Sequence, residues 1–381
     1  MKKMFSLAAM LAVLSYASPA SAELKIGGDA AVRMRSEFND VELDNTHLSK
    51  SEELKLQYRI RLKASADLGD GYFFKTMLQS EESLTQNPKT GANVATPGGW
   101  AEVGSGNAGA YNLEVSNFYF GRAMEESHYQ IGRLPLNSFN NPIFDLALYS
   151  VPVFDMATNS IAYTAVDVPV ATYNFDRILG LNYGTKVGRG DLNATLVVYD
   201  NISTIGADRG LFNDGYALHL DYKTTLGDVT VEPQALIALT DLFGHAYQDV
   251  SPNTFGANAT IPAGSAKIGL SAFYTVCEDT NPNTHVKVDY SGYLLRLKGE
   301  SGPVMAWIDY NRTSDNSDSK NADHYNNLFV WAQYNVKVHE SALGTFSLTP
   351  TIRYRASSAT KGADTLDNSQ LRGEVYATVT F

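Results

Sequence analysis

The sequence predicts an all-β fold: a transmembrane antiparallel β-barrel of about 18 strands, with 16 as the alternative count. Three observations carry this. Apolar and polar side chains alternate with period two along many stretches, short Gly-rich turns exchange regularly with long polar loops, and no apolar run after the first residues is long enough for a spanning helix.

The chain opens on Met1-Lys2-Lys3, a short basic segment, followed by apolar and small residues from Met4 to Ser15 and by the small-x-small pattern Ala20-Ser21-Ala22. This is the pattern of a secretory signal peptide over residues 1–22, cleaved before Glu23, with the barrel occupying 23–381. Loss of Lys2 and Lys3 takes the formal net charge from −11 to −13. An acidic balance argues against nucleic acid as a partner. With Cys277 as the one cysteine, no intramolecular disulfide forms. The seven histidines make neither an HExxH motif nor a close pair, and no GxSxG elbow marks a nucleophile, so no enzyme, metal or cofactor is expected.

The alternation is clearest from Leu54 to Leu68. Leu54, Leu56, Tyr58, Ile60 and Leu62 share one face, and Lys55, Gln57, Arg59, Arg61 and Lys63 share the other. It recurs at Leu24–Met34, Leu179–Tyr183, Tyr216–Tyr222, Ile268–Val276, Val304–Tyr310, Leu328–Val336, Phe346–Tyr354 and Leu371–Phe381. A soluble sheet would bury the apolar face. In a membrane barrel that face meets lipid and the charged face lines water, while closure leaves no unpaired backbone edge in hydrocarbon.

Short turns are expected at Leu68, Gly188, Leu226, Gly299 and His339. Long loops are expected over Ser83–Tyr111, Asn201–Asn213, Asp241–Asn253, Ser314–Asp323 and Ser357–Asn368. Placing every long loop on one rim requires an even count. Obvious strands number sixteen, and two weak ones, Pro169–Phe175 and Asn253–Ile261, bring the count to eighteen. The last strand ends on Phe381, which resembles the C-terminal assembly signal of outer-membrane proteins.

Between the fifth and sixth expected strands lies Ile131–Ser160, rich in apolar residues such as Ile143, Phe144, Leu146, Leu148 and Phe154. An exposed loop of this composition would be a liability, so it is expected to fold inward and pack on the wall. Gly132-Arg133, closing a strand before a long third loop, resembles bacterial trimeric porins. With "GRLPLN" and the strand count, the chain most resembles the campylobacterial major outer membrane protein and the OprD-type porins. The resemblance implies a homotrimer in the cell outer membrane, with outer-membrane lipid around it and a third loop, anchored near Gly132 and Arg133, that narrows the lumen.

On the lumen parity, cations gather on strands that closure makes adjacent: Arg33 and Arg35, then Arg59, Arg61 and Lys63, then Arg353 and Arg355, then Arg372. The loop offers Asp145 and Asp155 against them. Arginines facing carboxylates across a constriction would filter ions and small hydrophilic solutes. The plainer alternative for each arginine is pairing with Glu37, Glu53, Asp67 or Glu374. A barrel blocked by its own loop, acting as an adhesin or structural protein, is the competing function. Asp315, Asp318 and Asp323 are weaker candidates for calcium. Cys277, Trp307 and Trp331 fall on the lumen parity, where packing beneath the loop is expected for the tryptophans.

Overall fold

The computed structural model describes residues 23–81, 83–86, 93–95, 100–103, 112–136, 141–144, 150–155, 160–167, 177–200, 214–243, 248–280, 285–318 and 322–381. Its wall strands are β1 (Glu23–Leu43), β2 (Thr46–Gly69), β3 (Tyr72–Glu81), β4 (Asn112–Ala123) and β5 (Ser127–Pro135). They continue with β6 (Arg177–Val187), β7 (Gly190–Asp200), β8 (Gly215–Leu226), β9 (Val229–Ala238), β10 (Asn253–Ala263) and β11 (Ala266–Thr280). β12 (Lys287–Ser301), β13 (Val304–Asp315), β14 (His324–Tyr334), β15 (Gly344–Lys361) and β16 (Asp364–Thr380) complete the ring. Each pairs antiparallel with the next, and β16 returns to β1 from Asp29↔Thr380 to Leu43↔Leu366. Phe381 adds a reciprocal pair of backbone bonds to Gly28 at 2.8 and 3.1 Å, which seals the seam.

Sixteen strands therefore close the barrel among the described residues, and the expected count of eighteen is corrected to its alternative. The physical reason lies after β5. There β5 pairs directly with β6, from Ser127↔Thr185 to Pro135↔Arg177. Ser160–Asp167, where the sixth strand was expected, instead pairs with Ser150–Asp155 in a separate two-stranded sheet. Pro169–Phe175 lies outside the described residues, whereas the other weak strand is present as β10. Two short pieces also join the main sheet: Val336–Ser341 prolongs β14 along β15, and Ala101–Glu102 pairs with Gln57 and Tyr58 of β2 beyond the end of β3.

The short turns expected from the sequence all lie on the rim that holds both ends of the wall. Their geometry follows from hairpin twist, which favours a positive φ in a two-residue turn: Gly188 (φ 62°) supplies it between β6 and β7. On the far rim, Asp44 and Asn45 take φ 48° and 63° between β1 and β2, using the two residue types that tolerate that region best after glycine. The expected long loop Ser357–Asn368 is a correction. It is the paired end of β15 and β16, in register from Ser357↔Asn368 to Lys361↔Asp364. The reason is that β1, β2, β15 and β16 run 17 to 24 residues. A transmembrane strand needs about 9–11 residues, so these hairpins project past the apolar band with polar residues on both faces.

Burial is inside out relative to a soluble protein. Leu54 is 68 % exposed and Ile26 63 %, whereas Arg33 is 3 % and Glu374 3 % exposed. Apolar side chains on the outer parity are what a barrel presents to lipid. The buried apolar cluster lies on the inner parity of one side: Leu134, Ile178, Val197, Ala217, Leu236, Phe273 and Leu294 on β5–β9, β11 and β12, with Ile143 and Phe144 packed on them.

Candidate functional site

Four adjacent strands carry the expected cations. Register places Arg33 opposite Gln57 and Tyr376, Arg35 opposite Glu374, Asp29 opposite Arg61, and Arg372 opposite both Glu37 and Arg353. The arrangement is a set of ion pairs rather than a row of bare guanidiniums. Glu374 is the hub. Its carboxylate accepts from Arg35 Nε, lies 2.7 Å from Arg353 Nε and 3.5 Å from Arg33 Nη1, and accepts from the Tyr376 hydroxyl at 2.6 Å. Glu37 holds Arg372 Nε at 2.6 Å. Asp29 holds Arg61 Nε at 2.8 Å and Arg59 Nη2 at 3.3 Å.

Of the four acids expected to pair with this wall, Glu37 and Glu374 do. Glu53 pairs with Lys55 at 2.7 Å, and Asp67 accepts the backbone N–H of Gly69 at 2.9 Å. Asp29 takes their place. Three acids against Arg33, Arg35, Arg59, Arg61, Lys63, Arg353, Arg355 and Arg372 leave the wall net positive. Arginine suits such a role, since its planar fork bonds several acceptors at once and stays charged.

The sequence pattern gave no hint of Trp100. The strand bonding of Ala101–Glu102 to β2, with Val103 N donating to Leu56 O at 3.1 Å, brings Trp100 over the basic wall. Arg33 Cζ stands 4.0 Å and Arg59 Cζ 4.7 Å from its ring, and Tyr376 meets it edge-on at 5.4 Å. The indole thus shields two guanidiniums from the lumen. Trp307 and Trp331 stack on each other at 4.7 Å beside Phe329, and Arg353 Cζ lies 3.6 Å over Trp331.

Half-way round the ring, the described part of the third loop sits against the inner wall. Asn141 Nδ2 donates to Gln234 Oε1 on β9 at 2.8 Å and Asn141 Oδ1 accepts from Asn258 on β10 at 3.4 Å. Ile143 and Phe144 are 0 % and 5 % exposed, and the Phe144 ring lies 4.9 Å from that of His219 on β8. Asp145 lies outside the described residues. Asp155 lies in the strand Ser150–Asp155 of the separate sheet, and its side chain is outside what is described.

Gly132 and Arg133 stand near the end of β5. Gly132 has φ 132°, and a Cβ there would come within 2.4 Å of Phe118 O, so glycine is required where the wall turns toward the loop. Arg133 is on the outer parity and donates from Nη1 to Val115 O at 3.0 Å. The three loop acids considered for calcium bind backbone instead. Asp315, Asp318 and Asp323 accept from the N–H of Ser317, Lys287 and Gly362. Among the described residues the one group with metal-ligand spacing is Asp40, Glu42 and His47, at the projecting tip of β1–β2. Cys277 is buried with Val288 and Tyr290.

No family model matches the chain, and no curated protein sequence matches it. Solved structures do. The outer membrane channel DcaP of Acinetobacter baumannii is 11% identical, with a TM-score of 0.52 over 96% of this chain and 99% of that one. A loop-deletion form of OmpT, an outer membrane protein of Vibrio cholerae, is 11% identical, with a TM-score of 0.50 over 93% of this chain and 99% of that one. They do not show a likeness to the campylobacterial protein in particular. What they share with this chain is the fold, a closed antiparallel barrel of the kind found in Gram-negative outer-membrane proteins.

Proposed function

We propose that the protein is an outer-membrane porin, passing ions and small hydrophilic solutes by diffusion, without a cofactor and without catalysis. The observation that carries this is the inside-out wall: apolar side chains face outward, and an ion-paired, net positive face lines the interior. Residues 1–22 act as its export signal, Phe381 as its assembly signal, and the working form is a homotrimer.

The filter lies between the basic wall and the third loop, with Asp145 and Asp155 as the loop's carboxylates. Support comes from the placement of Asn141–Phe144 on the wall opposite, with Asp145 next in sequence. At physiological ionic strength a charge is screened over about 8 Å, so acids of the outer loops act mainly on entry. The nearest charges then set selectivity.

Planar-bilayer recording tests the reading. Stepwise conductance is the expected result. Asp145→Asn with Asp155→Asn shifts the reversal potential toward anions, and Arg59→Gln with Arg61→Gln shifts it toward cations. If both pairs keep wild-type selectivity, the filter is elsewhere. The competing reading, a sealed barrel serving adhesion or structure, draws on the deep burial of inward residues such as Trp307 and Tyr290. A correctly folded but silent barrel would establish it.

A further inference from the structure

Toward the short-turn rim the basic wall passes from arginines to lysines, and the register shows how. Asp29 and Arg61 face each other in one row. Two residues closer to the rim, Lys63 is flanked by Gly27 on β1 and Met77 on β3. One step further, Ser65 is flanked by Lys25 and Lys75. Strands lie about 4.8 Å apart, so three lysines on three neighbouring strands surround the space that Gly27, lacking a side chain, leaves open.

That space is a cavity of about 610 Å³. Lys25, Arg61, Lys63 and Lys75 line it with Asn117 and Tyr119, Leu136 of the third loop closes one side, and no acid is in the lining. Two carboxylates of the adjoining rows are engaged. Asp29 is held by Arg59 and Arg61, and Asp67 accepts the Gly69 N–H. Lys63 is exposed to the lumen, and Lys75 Nζ stands 5.1 Å from the ring of Phe73, which itself meets Tyr119 edge-on at 6.2 Å.

We propose that Lys63 and Lys75 form an anion-binding site for small doubly charged oxyanions at the short-turn end of the basic wall. The chemistry is set by the lysines. Each ammonium is a compact point charge on a flexible stem with three donors, so two of them can close on one dianion. A monovalent anion engages one at a time and gains less. The Ser65 and Tyr119 hydroxyls and the Asn117 amide add neutral donors around the same space. Solutes that pass the arginines thus meet a second site that delays multivalent anions and leaves cations and neutral molecules unaffected. The proposal rests on the channel reading, since the lysines matter only if solutes reach them.

The test is block of chloride current through the full-length barrel in a planar bilayer. Inorganic phosphate at alkaline pH, succinate and acetate are added in turn from the short-turn side. Phosphate and succinate are expected to reduce the current saturably at millimolar concentration, and acetate is not. The ranking of phosphate against succinate separates a phosphoryl from a dicarboxylate ligand. In Lys63→Gln with Lys75→Gln the blocking concentration rises about tenfold, the effect expected from losing two close charge contacts. Lys337→Gln, an exposed lysine paired with Glu340 at 3.1 Å, serves as control and leaves block unchanged. Heat-modifiable migration on a gel verifies that each variant folds. Equal block in the lysine pair, or block by acetate as strong as by phosphate, overturns the site. Normal conductance without phosphate block overturns it too, and leaves the porin reading intact. A folded but silent barrel overturns the porin reading instead. Calorimetric titration of the detergent-solubilised protein with phosphate then decides the site: no binding, or binding unchanged in the lysine pair, ends it.

Discussion

The two sides of the lumen wall are held by different chemistry. On β1, β2, β15 and β16, arginines converge on Glu374, Glu37 and Asp29. On β5–β9, β11 and β12 an inward apolar patch, Leu134, Ile178, Val197, Ala217, Leu236, Phe273 and Leu294, receives Ile143 and Phe144 of the third loop, with Asn141 bonded beside them and charged residues such as Asp221 and Arg296 elsewhere on the same strands. An ion-paired wall cannot receive an apolar loop without stripping water from its charges, which costs several kcal/mol per ion. An apolar wall would be left wet without the loop. The loop therefore has one side it can lie on, and the charged side stays open to solutes.

The largest expected effect breaks the charged side. Glu374→Gln removes the carboxylate on which Arg33, Arg35 and Arg353 converge, and that side chain is fully buried. Removing one partner from a buried ionic cluster costs about 3–5 kcal/mol, because the remaining charges stay in place without compensation. A lower urea midpoint of the folded barrel checks this, together with a reversal potential moved toward anions. An unchanged midpoint would mean that lumen water satisfies the arginines without Glu374.

Next comes the apolar side. Phe144→Ala removes the ring that the third loop adds to the buried apolar cluster, 4.9 Å from the ring of His219. Full truncation of a buried Phe costs about 3–5 kcal/mol, less where water can refill the space. Here the loop detaches while the wall persists, so conductance rises and selectivity keeps its sign. Equal conductance would show that Asn141 and its partners suffice to hold the loop.

Much of this contrast was legible in the sequence, because side-chain parity is a local property of a strand. Arg33, Arg35, Arg59, Arg61, Arg353 and Arg372 all took the predicted face. Partner choice was not legible, since it depends on register. Asp29 meets Arg61 only because the Asp44-Asn45 turn and the register shift between Val41 and Glu42 together set β1 against β2 as they do. Trp100 sits in a stretch with no period to betray it. Ser160–Asp167 carries the same alternation whether it joins the wall or a separate hairpin, and that cost two strands in the count. Ser357–Asn368 looked like a loop because strands beyond the bilayer need no apolar face.

Gly132→Ala sharpens the boundary between the two sides. At φ 132° with a carbonyl 2.4 Å from the new Cβ, the substitution forces β5 to shift. A strained backbone of this kind costs about 1–3 kcal/mol. The expected outcome is a modestly lower unfolding midpoint with altered conductance, since the third loop leaves the wall three residues later. Altered stability with identical conductance would separate Gly132 from the loop's placement.

The smallest effect concerns Trp100, and it asks whether the charged side is open along its whole length. Its ring covers Arg33 and Arg59, yet both keep other partners: Gln57, Tyr376 and Glu374 for Arg33, and Asp29 for Arg59. Trp100→Ala therefore leaves the wall assembled. Each lost cation–π contact costs about 0.5–1 kcal/mol, because lumen water takes the ring's place over each guanidinium. What changes more is access. Two guanidiniums that lay behind an indole come to face the lumen, so the reversal potential moves toward anions and conductance rises. Trp100→Phe keeps a ring over the arginines and stays close to wild type. Because Phe144→Ala widens the pore from the loop's side and removes no charge, it gives higher conductance with little change in ion preference, and the two variants together separate width from charge. Unchanged selectivity in Trp100→Ala, with higher conductance retained, would place Arg33 and Arg59 outside the ion path and confine the charged side's influence to Arg61 and the lysines beyond it.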